Sequence, residues 1–295
     1  MSTKTAMITI CGRPNVGKST LTNYLVGEKI AIVSNKPQTT RNRITGILTK
    51  DENQYVFLDT PGMHKPRTAL GDFMVKTATG SIGESDAILL VVEPVPSVGD
   101  IEQGILERVK ATKAPCILIV NKVDEHTPAA IAETIAAYAA VHDFSAVVPL
   151  CAKSGKGTDA LFEEIDKFLY PSVWYFPEDA ITDQPERQIA AEIIREKLLR
   201  TLNKEIPHGT AVVIEDFKDE GRIIRIRAEI FCEKESHKGI IVGKNGAALK
   251  LVGSYARQDL EAFLGTKVYL NLWVKVKENW RDSTAAVGNF GYRDE

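Results

Sequence analysis

Residues 12–19 read Gly-Arg-Pro-Asn-Val-Gly-Lys-Ser, directly after an apolar run at 6–11 and directly before a stretch with helical spacing at 18–26. A glycine loop joining a strand to a helix aims several backbone N–H groups and a helix N-terminus at one point, which is where an anion binds. The spacing G-x-x-x-x-G-K-S adds an ammonium, Lys18, and a hydroxyl, Ser19, at the positions that meet phosphates and Mg²⁺ in a phosphate loop. The similar string Gly155-Lys156-Gly157-Thr158 fails the pattern: Leu150 stands five residues before Gly155, and Gly157 replaces the hydroxyl residue.

The surrounding pattern suits that loop. Residues 6–11, 54–58, 86–92, 116–120 and 147–150 are short runs rich in Val, Ile and Leu, nearly continuously apolar as strands buried on both faces are. Between them, 18–26, 101–111, 128–141 and 158–168 carry helical spacing. This alternation predicts an α/β domain over residues 1–170 with a mostly parallel sheet.

Prolines at 171, 177 and 185, among turn-forming residues, then break every periodicity. A linker is expected over 171–184. Beyond it, 185–203 reads as a helix with Asp183 as a cap, and 210–217 and 222–231 as strands joined by Lys218-Asp-Glu-Gly221. Helical segments at 238–241 and 247–264 and a strand at 267–276 follow. The order α-β-β-α-α-β predicts a smaller α+β domain over 185–280, leaving 281–295 as a tail.

Three further motifs specify the first domain's ligand. Asp59-Thr60-Pro61-Gly62 closes the run at 54–58, where a carboxylate can support Mg²⁺ and Gly62 can bring a backbone N–H to a γ-phosphate. Asn121-Lys122-Val123-Asp124 leaves the run at 116–120. A carboxylate in the base plane accepts from N1–H and the exocyclic amine of guanine, which adenine does not offer there. Two such bonds supply roughly 3–6 kcal/mol of discrimination. Lys122 can lay its stem along the purine, and Asn121 can tie this loop to the phosphate loop. Cys151-Ala152-Lys153 follows the next run, where a backbone N–H meets the guanine carbonyl.

In this order, on this alternation, the elements resemble a Ras-like GTPase domain of the translation-factor class. The resemblance implies a nucleotide site of Gly12, Arg13, Pro14, Asn15, Val16, Gly17, Lys18, Ser19 and Thr20 for the phosphates of GTP or GDP. Asp59, Thr60, Pro61 and Gly62 follow, with Asn121, Lys122, Val123, Asp124, Ala152 and Lys153 around the base. Gln38-Thr39-Thr40-Arg41 looks like the switch segment, with Thr40 joining Ser19 and Asp59 at Mg²⁺. Where Ras has a water-orienting glutamine, this chain has Met63, whose thioether cannot orient water. No side-chain acid or base is therefore assigned, and slow intrinsic hydrolysis is expected. Some GTPases with such a replacement use K⁺ held by the phosphate-loop asparagine, here Asn15.

The second domain contains Gly243-Lys244-Asn245-Gly246 between two helical segments. In a KH module this turn lets a nucleic-acid backbone approach closely, and Lys238, Gly239, Ile241, Gly243, Lys244, Asn245 and Gly246 are the expected RNA contacts. Read on its own, the G-x-x-G turn could also be a structural corner in a protein-binding adaptor. The whole chain is balanced, with 37 basic and 39 acidic residues, yet residues 234–281 hold nine Lys or Arg against four Asp or Glu. The near-neutral total is the sum of a basic segment, suited to phosphates, and an acidic remainder.

A GTPase domain followed by a type II KH domain resembles the Era family, as do Tyr175-Phe-Pro-Glu-Asp179 and Glu192-Ile-Ile-Arg195-Glu-Lys197. That resemblance implies binding to small-subunit ribosomal RNA near its 3′ end, a role in small-subunit maturation, and partial association with the inner face of the cell membrane. A monomer is expected. The N-terminus carries no basic-then-apolar signal pattern, so the expected location is cytoplasmic. The four cysteines and five histidines are scattered, which suggests buried thiols and no metal cluster.

Overall fold

The computed structural model describes residues 3–203 and 205–293. It divides into two compact units, one of residues up to Pro66 with Met74–Asp183, the other of Arg67–Phe73 with residues from Gln184 onward.

In the first unit the order is β1 (Lys4–Cys11), α1 (Lys18–Val26), β2 (Ile44–Lys50), β3 (Asn53–Asp59), α2 (Ala69–Gly83, of this unit from Met74 on), β4 (Ala87–Val92) and α3 (Asp100–Thr112). Then come β5 (Cys116–Val120), α4 (Pro128–Ala139), β6 (Ala146–Pro149), α5 (Thr158–Ile165) and β7 (Tyr170–Pro171). The sheet runs β2-β3-β1-β4-β5-β6, with β7 paired to β1. All pairs are parallel except β2 with β3 and β7 with β1. Alternate residues of the central strands feed opposite faces. Ile8, Ile10, Leu89, Val91, Ile117 and Ile119 join Leu21 and Leu25 of α1 and Leu161 of α5. Leu90, Val92, Leu118 and Val120 join Ile82 of α2, Ile105 of α3 and Tyr138 of α4. Double-sided burial is why these strands read as continuous apolar runs.

The edge strand β2 was not expected. Its sequence, ITGILTK, is interrupted by Gly46, and that glycine is required by packing: a Cβ there would stand 2.8 Å from Val26 Cγ2. Helix α2 also lies outside the helical runs read from the sequence. The expected linker is held to the first unit over much of its length. Buried Gln54 accepts from the backbone N–H of Tyr175 and Phe176 at 2.9 and 3.0 Å and donates to the Phe176 carbonyl at 2.9 Å. Further along, Ile47 N–H donates to the Ile181 carbonyl and Thr182 Oγ1 to that of Thr45.

The second unit contains α6 (Glu186–Thr201), β8 (Ala211–Asp219), β9 (Ile223–Cys232), α7 (Glu235–Val242), α8 (Ala247–Leu264), β10 (Lys267–Val276) and α9 (Thr284–Asn289). Its sheet order is β10-β9-β8, with β9 parallel to β10 and antiparallel to β8. Ile224, Ile226, Ala228 and Ile230 of β9 point to the core shared with Ile194 of α6 and Val252, Ala256 and Leu260 of α8. The expected tail folds as well. Trp280 is fully buried, its Nε1 donates to the Gly209 carbonyl at 2.9 Å, and its ring stacks on that of Tyr292. A large ring seeking burial, with a partner for its indole N–H, draws the segment in. Asp294 and Glu295 lie outside the described residues.

All four cysteines are buried and free. No helix among the described residues is long and apolar enough to cross a membrane.

Candidate functional site

The loop from Gly12 to Gly17 joins β1 to α1 and is built on backbone shapes that few residues adopt. Gly12, Asn15 and Gly17 have φ of 149°, 67° and 100°. Space excludes side chains at both glycines: a Cβ on Gly12 would stand 2.4 Å from the Val91 carbonyl oxygen, and one on Gly17 2.2 Å from Asn121 Nδ2. Helix α1 begins with no side-chain cap and no acid in its first turn. Its N-terminal N–H groups therefore face the loop with their dipole uncompensated, as a phosphate site requires.

Lys18 is buried and its Nζ donates to the Arg13 carbonyl at 2.9 Å. Burial pushes its pKa down, against the pull of Asp59. Ser19 Oγ lies 2.6 Å from Asp59 Oδ2 and 2.7 Å from Thr40 Oγ1. Three segments, α1, the switch segment and the end of β3, thus bring oxygen donors to one point. Asp59 is fully buried and its Oδ1 has no hydrogen-bond partner. Burial lifts its pKa to about 6, opposed by Lys18 and by the Ser19 hydroxyl. An unpartnered buried carboxylate oxygen beside two hydroxyls is the hard-oxygen donor set that Mg²⁺ takes.

Beyond Asp59, Thr60 is buried and donates from Oγ1 to the Ile10 carbonyl at 2.9 Å, and Pro61 is buried beside it. Gly62 presses on the phosphate loop: a Cβ there would lie 2.7 Å from Pro14 Cα. Met63 N–H donates to the Gly12 carbonyl at 3.1 Å, and its side chain is buried with Cys11, Ile88 and Leu90. Its thioether is packed in the core and does not face the cleft. His64 Nδ1 lies 3.0 Å from the Gly62 carbonyl oxygen.

Asn121 joins the loops. Its Nδ2 donates to the Val16 carbonyl at 2.8 Å, and its Oδ1 accepts from Ala152 N–H at 2.9 Å. Val123 N–H donates to the Leu150 carbonyl. Asp124 and Lys153 are exposed; a hydrogen bond with the Cys151 side chain holds the Asp124 carboxyl below the usual carboxylate range. A cleft of about 370 Å³ is lined by Asn15, Lys18, Ser19, Thr40, Gly62 and Lys122 among others, whereas Asp124, Ala152 and Lys153 are not among its lining residues. Thr20 lies on its wall, as do Ile32, Ser34, Asn35 and Glu125, which the sequence analysis did not single out. The side chain of Arg13 turns away, to Glu93 and Glu102 at 3.5 and 3.3 Å.

In the second unit Gly243, Asn245 and Gly246 have φ of 72°, 52° and 77°, so the turn runs almost wholly in the left-handed region. Gly243 N–H caps α7 by donating to the Gly239 carbonyl at 2.9 Å, and a Cβ on Gly243 would meet Ala248 Cβ at 2.7 Å. Lys244 and Asn245 are exposed, and Lys238 is half-buried. Ile241 corrects an expectation. It is fully buried in the core of the second unit, so its side chain cannot contact RNA; its neighbour Ile240 is 52% exposed. In a helix as short as α7 the run Ile240-Ile241-Val242 does not reveal which member faces inward.

Family models match both parts: residues 7–122 match a model described as 50S ribosome-binding GTPase, and residues 205–281 a KH domain. GTPase Era of Clostridium perfringens is 50% identical over 98% of both chains, and GTPase Era of Clostridioides difficile 50% identical over 99% of both. The chain belongs to the Era family of GTPases. Among solved structures, a variant of Aquifex aeolicus Era bound to GDP and AlF₄⁻ superposes with a TM-score of 0.94 at 39% identity, covering 98% of this chain and 99% of that one. Era in complex with MgGDPNP and nucleotides 1506–1542 of 16S ribosomal RNA gives 0.93 at 38% identity, with the same coverage. The architecture expected of an Era GTPase, a P-loop domain with a mostly parallel sheet followed by a KH domain, is the one observed.

Proposed function

We propose that this chain binds GTP with Mg²⁺, hydrolyses it to GDP and phosphate, and binds small-subunit ribosomal RNA near its 3′ end as a small-subunit assembly factor. The observation that carries the nucleotide half is the convergence of Ser19, Thr40 and Asp59, with one buried carboxylate oxygen left unpartnered. These three would hold Mg²⁺, which when bound neutralises charge on the β- and γ-phosphates. Backbone N–H groups of the Gly12–Thr20 segment other than Pro14, which has none, cradle the phosphates, Lys18 pairs with the β- and γ-oxygens, and the Gly62 N–H faces the γ-phosphate. Asp124 accepts from N1–H and the amine of guanine, Lys122 covers the purine, and the backbone at Ala152 and Lys153 meets the guanine carbonyl. With Met63 buried, catalysis rests on positioning and electrostatics, and intrinsic turnover is slow. Asn15 Nδ2 donates to the Asn35 carbonyl at 3.1 Å; with its amide turned to present Oδ1, Asn15 would join that carbonyl oxygen in holding a K⁺ ion beside the phosphates.

The RNA half is supported by the left-handed turn at Gly243–Gly246, with exposed Lys244 at its tip, and by the RNA held in the relative's complex. One KH module reads about four nucleotides of single strand. The protein works in the cytoplasm as a monomer, with peripheral contact at the inner face of the membrane. The test is binding of a 3′-terminal small-subunit RNA fragment to the full chain, with GTP or GDP present. Salt-dependent binding weakened by Lys244→Glu is expected; equal binding of an unrelated RNA of the same length refutes the reading.

A further inference from the structure

Glu93 directly follows β4 and sits between the two loops that meet the ends of a nucleotide. One carboxylate oxygen, Oε1, accepts from Lys122 Nζ, and the other, Oε2, lies 3.5 Å from Arg13 Nη2. Arg13 Nε in turn pairs with Glu102 of α3 at 3.3 Å. Glu93 is 25% exposed and Lys122 31%, so the pair is only partly hydrated and less screened than one on the open surface.

We propose that Glu93 is a positioning residue for nucleotide binding: it fixes the Lys122 ammonium so that the lysine stem lies against the purine, and links the base loop to the phosphate loop through Arg13. The proposal rests on the reading of residues 121–124 as the base loop. Two further observations carry it. Lys122 has φ of 63°, a region a lysine adopts at a cost, so its place at the cleft wall must be held from outside. In addition, the Val92 carbonyl accepts the Asn121 N–H at 2.9 Å. The strand end that bears Glu93 therefore also registers the loop that bears Lys122. Because Glu93 acts on the ammonium and not on the edge of the base, it sets affinity without choosing between purines.

The test uses the full chain with Mg²⁺ and compares GDP with inosine diphosphate, which lacks the 2-amino group. Glu93→Gln keeps the shape of the side chain and removes its charge. It is expected to weaken GDP binding by about tenfold, the scale of one charge-assisted hydrogen bond. Inosine diphosphate should weaken by the same factor. In a Lys122→Met background Glu93→Gln is expected to add almost nothing. Wild-type affinity in Glu93→Gln, a changed ratio between the two diphosphates, or an undiminished effect in the Lys122→Met background each overturns the proposal. Failure of the base-loop reading shows separately, as an Asp124→Asn chain that does not shift from guanine towards xanthine nucleotides.

Discussion

Asn121 Nδ2 and the Val16 carbonyl oxygen are 2.8 Å apart and buried, although 105 residues separate them in the chain. The same side chain accepts from Ala152 N–H. One amide thus fixes the phosphate loop against both base-side segments. Asn121→Ala leaves the Val16 carbonyl and the Ala152 N–H buried without partners, each costing about 1–3 kcal/mol. The expected outcome is a lower melting temperature and a nucleotide affinity reduced by at least about tenfold, read by thermal melting and GDP titration. Asn121→Asp should be nearly as damaging, because it still accepts from Ala152 but cannot donate to Val16.

Gly62 has an ordinary backbone conformation, so its constraint is one of space. A Cβ would stand 2.7 and 2.8 Å from Pro14 Cα and N, backbone atoms that cannot move aside without moving the phosphate loop. Gly62→Ala is expected to retain GDP binding and to lose most GTP hydrolysis, since the N–H assigned to the γ-phosphate is displaced. Single-turnover hydrolysis beside GDP titration distinguishes the two effects.

These sites show what the sequence could and could not convey. The central strands were legible because both faces are buried, and the phosphate loop because its glycines answer local demands of backbone and space. Strand β2 was hidden by Gly46, whose reason is contact with Val26 and Ile30. The prolines after Tyr170 mark turns, but not where the turns lie; three hydrogen bonds from the distant Gln54 side chain settle that. Glu93 offered no pattern at all, since its partners Arg13 and Lys122 adjoin it only once β1, β4 and β5 are side by side. Periodicity and spacing carry local chemistry; contacts made by single side chains across the sheet do not repeat, so they leave no such trace.

The two glycines of the KH turn differ in what they tolerate. Gly243 meets Ala248, whereas nothing lies within 4 Å of a Cβ on Gly246. Gly243 substitutions therefore strain packing and backbone together, at an expected cost above the roughly 1–2 kcal/mol of a left-handed residue alone. Gly246→Asp carries only the backbone cost, eased because aspartate tolerates that region, and places a negative charge where the proposed RNA contact would bring a phosphate. It is expected to keep the melting temperature close to wild type and to weaken RNA binding strongly. Lys244→Ala should reduce the slope of log affinity against log salt by about 0.7, as loss of one single-strand phosphate contact does.

Asp59 makes a prediction about pH. Its carboxyl titrates near 6 in the folded chain because burial disfavours the charge, against a usual value of 3.8. A carboxyl raised on folding contributes stability below its unfolded pKa, and that contribution is lost as pH climbs through the folded value. Between about pH 4 and 6, then, the nucleotide-free protein loses stability at this site as the pH rises. Above that window it folds with a buried charge that only Lys18 and Ser19 offset. Asp59→Asn removes the charge at every pH. Without nucleotide, the variant should melt higher than wild type at pH 7.5, by an amount that shrinks to near zero by pH 4. With Mg²⁺ and GDP the order should reverse at pH 7.5, since the carboxylate then has its cation. Melting curves at the two pH values, with and without Mg²⁺ and GDP, decide it; a variant less stable than wild type without nucleotide at pH 7.5 contradicts the assignment.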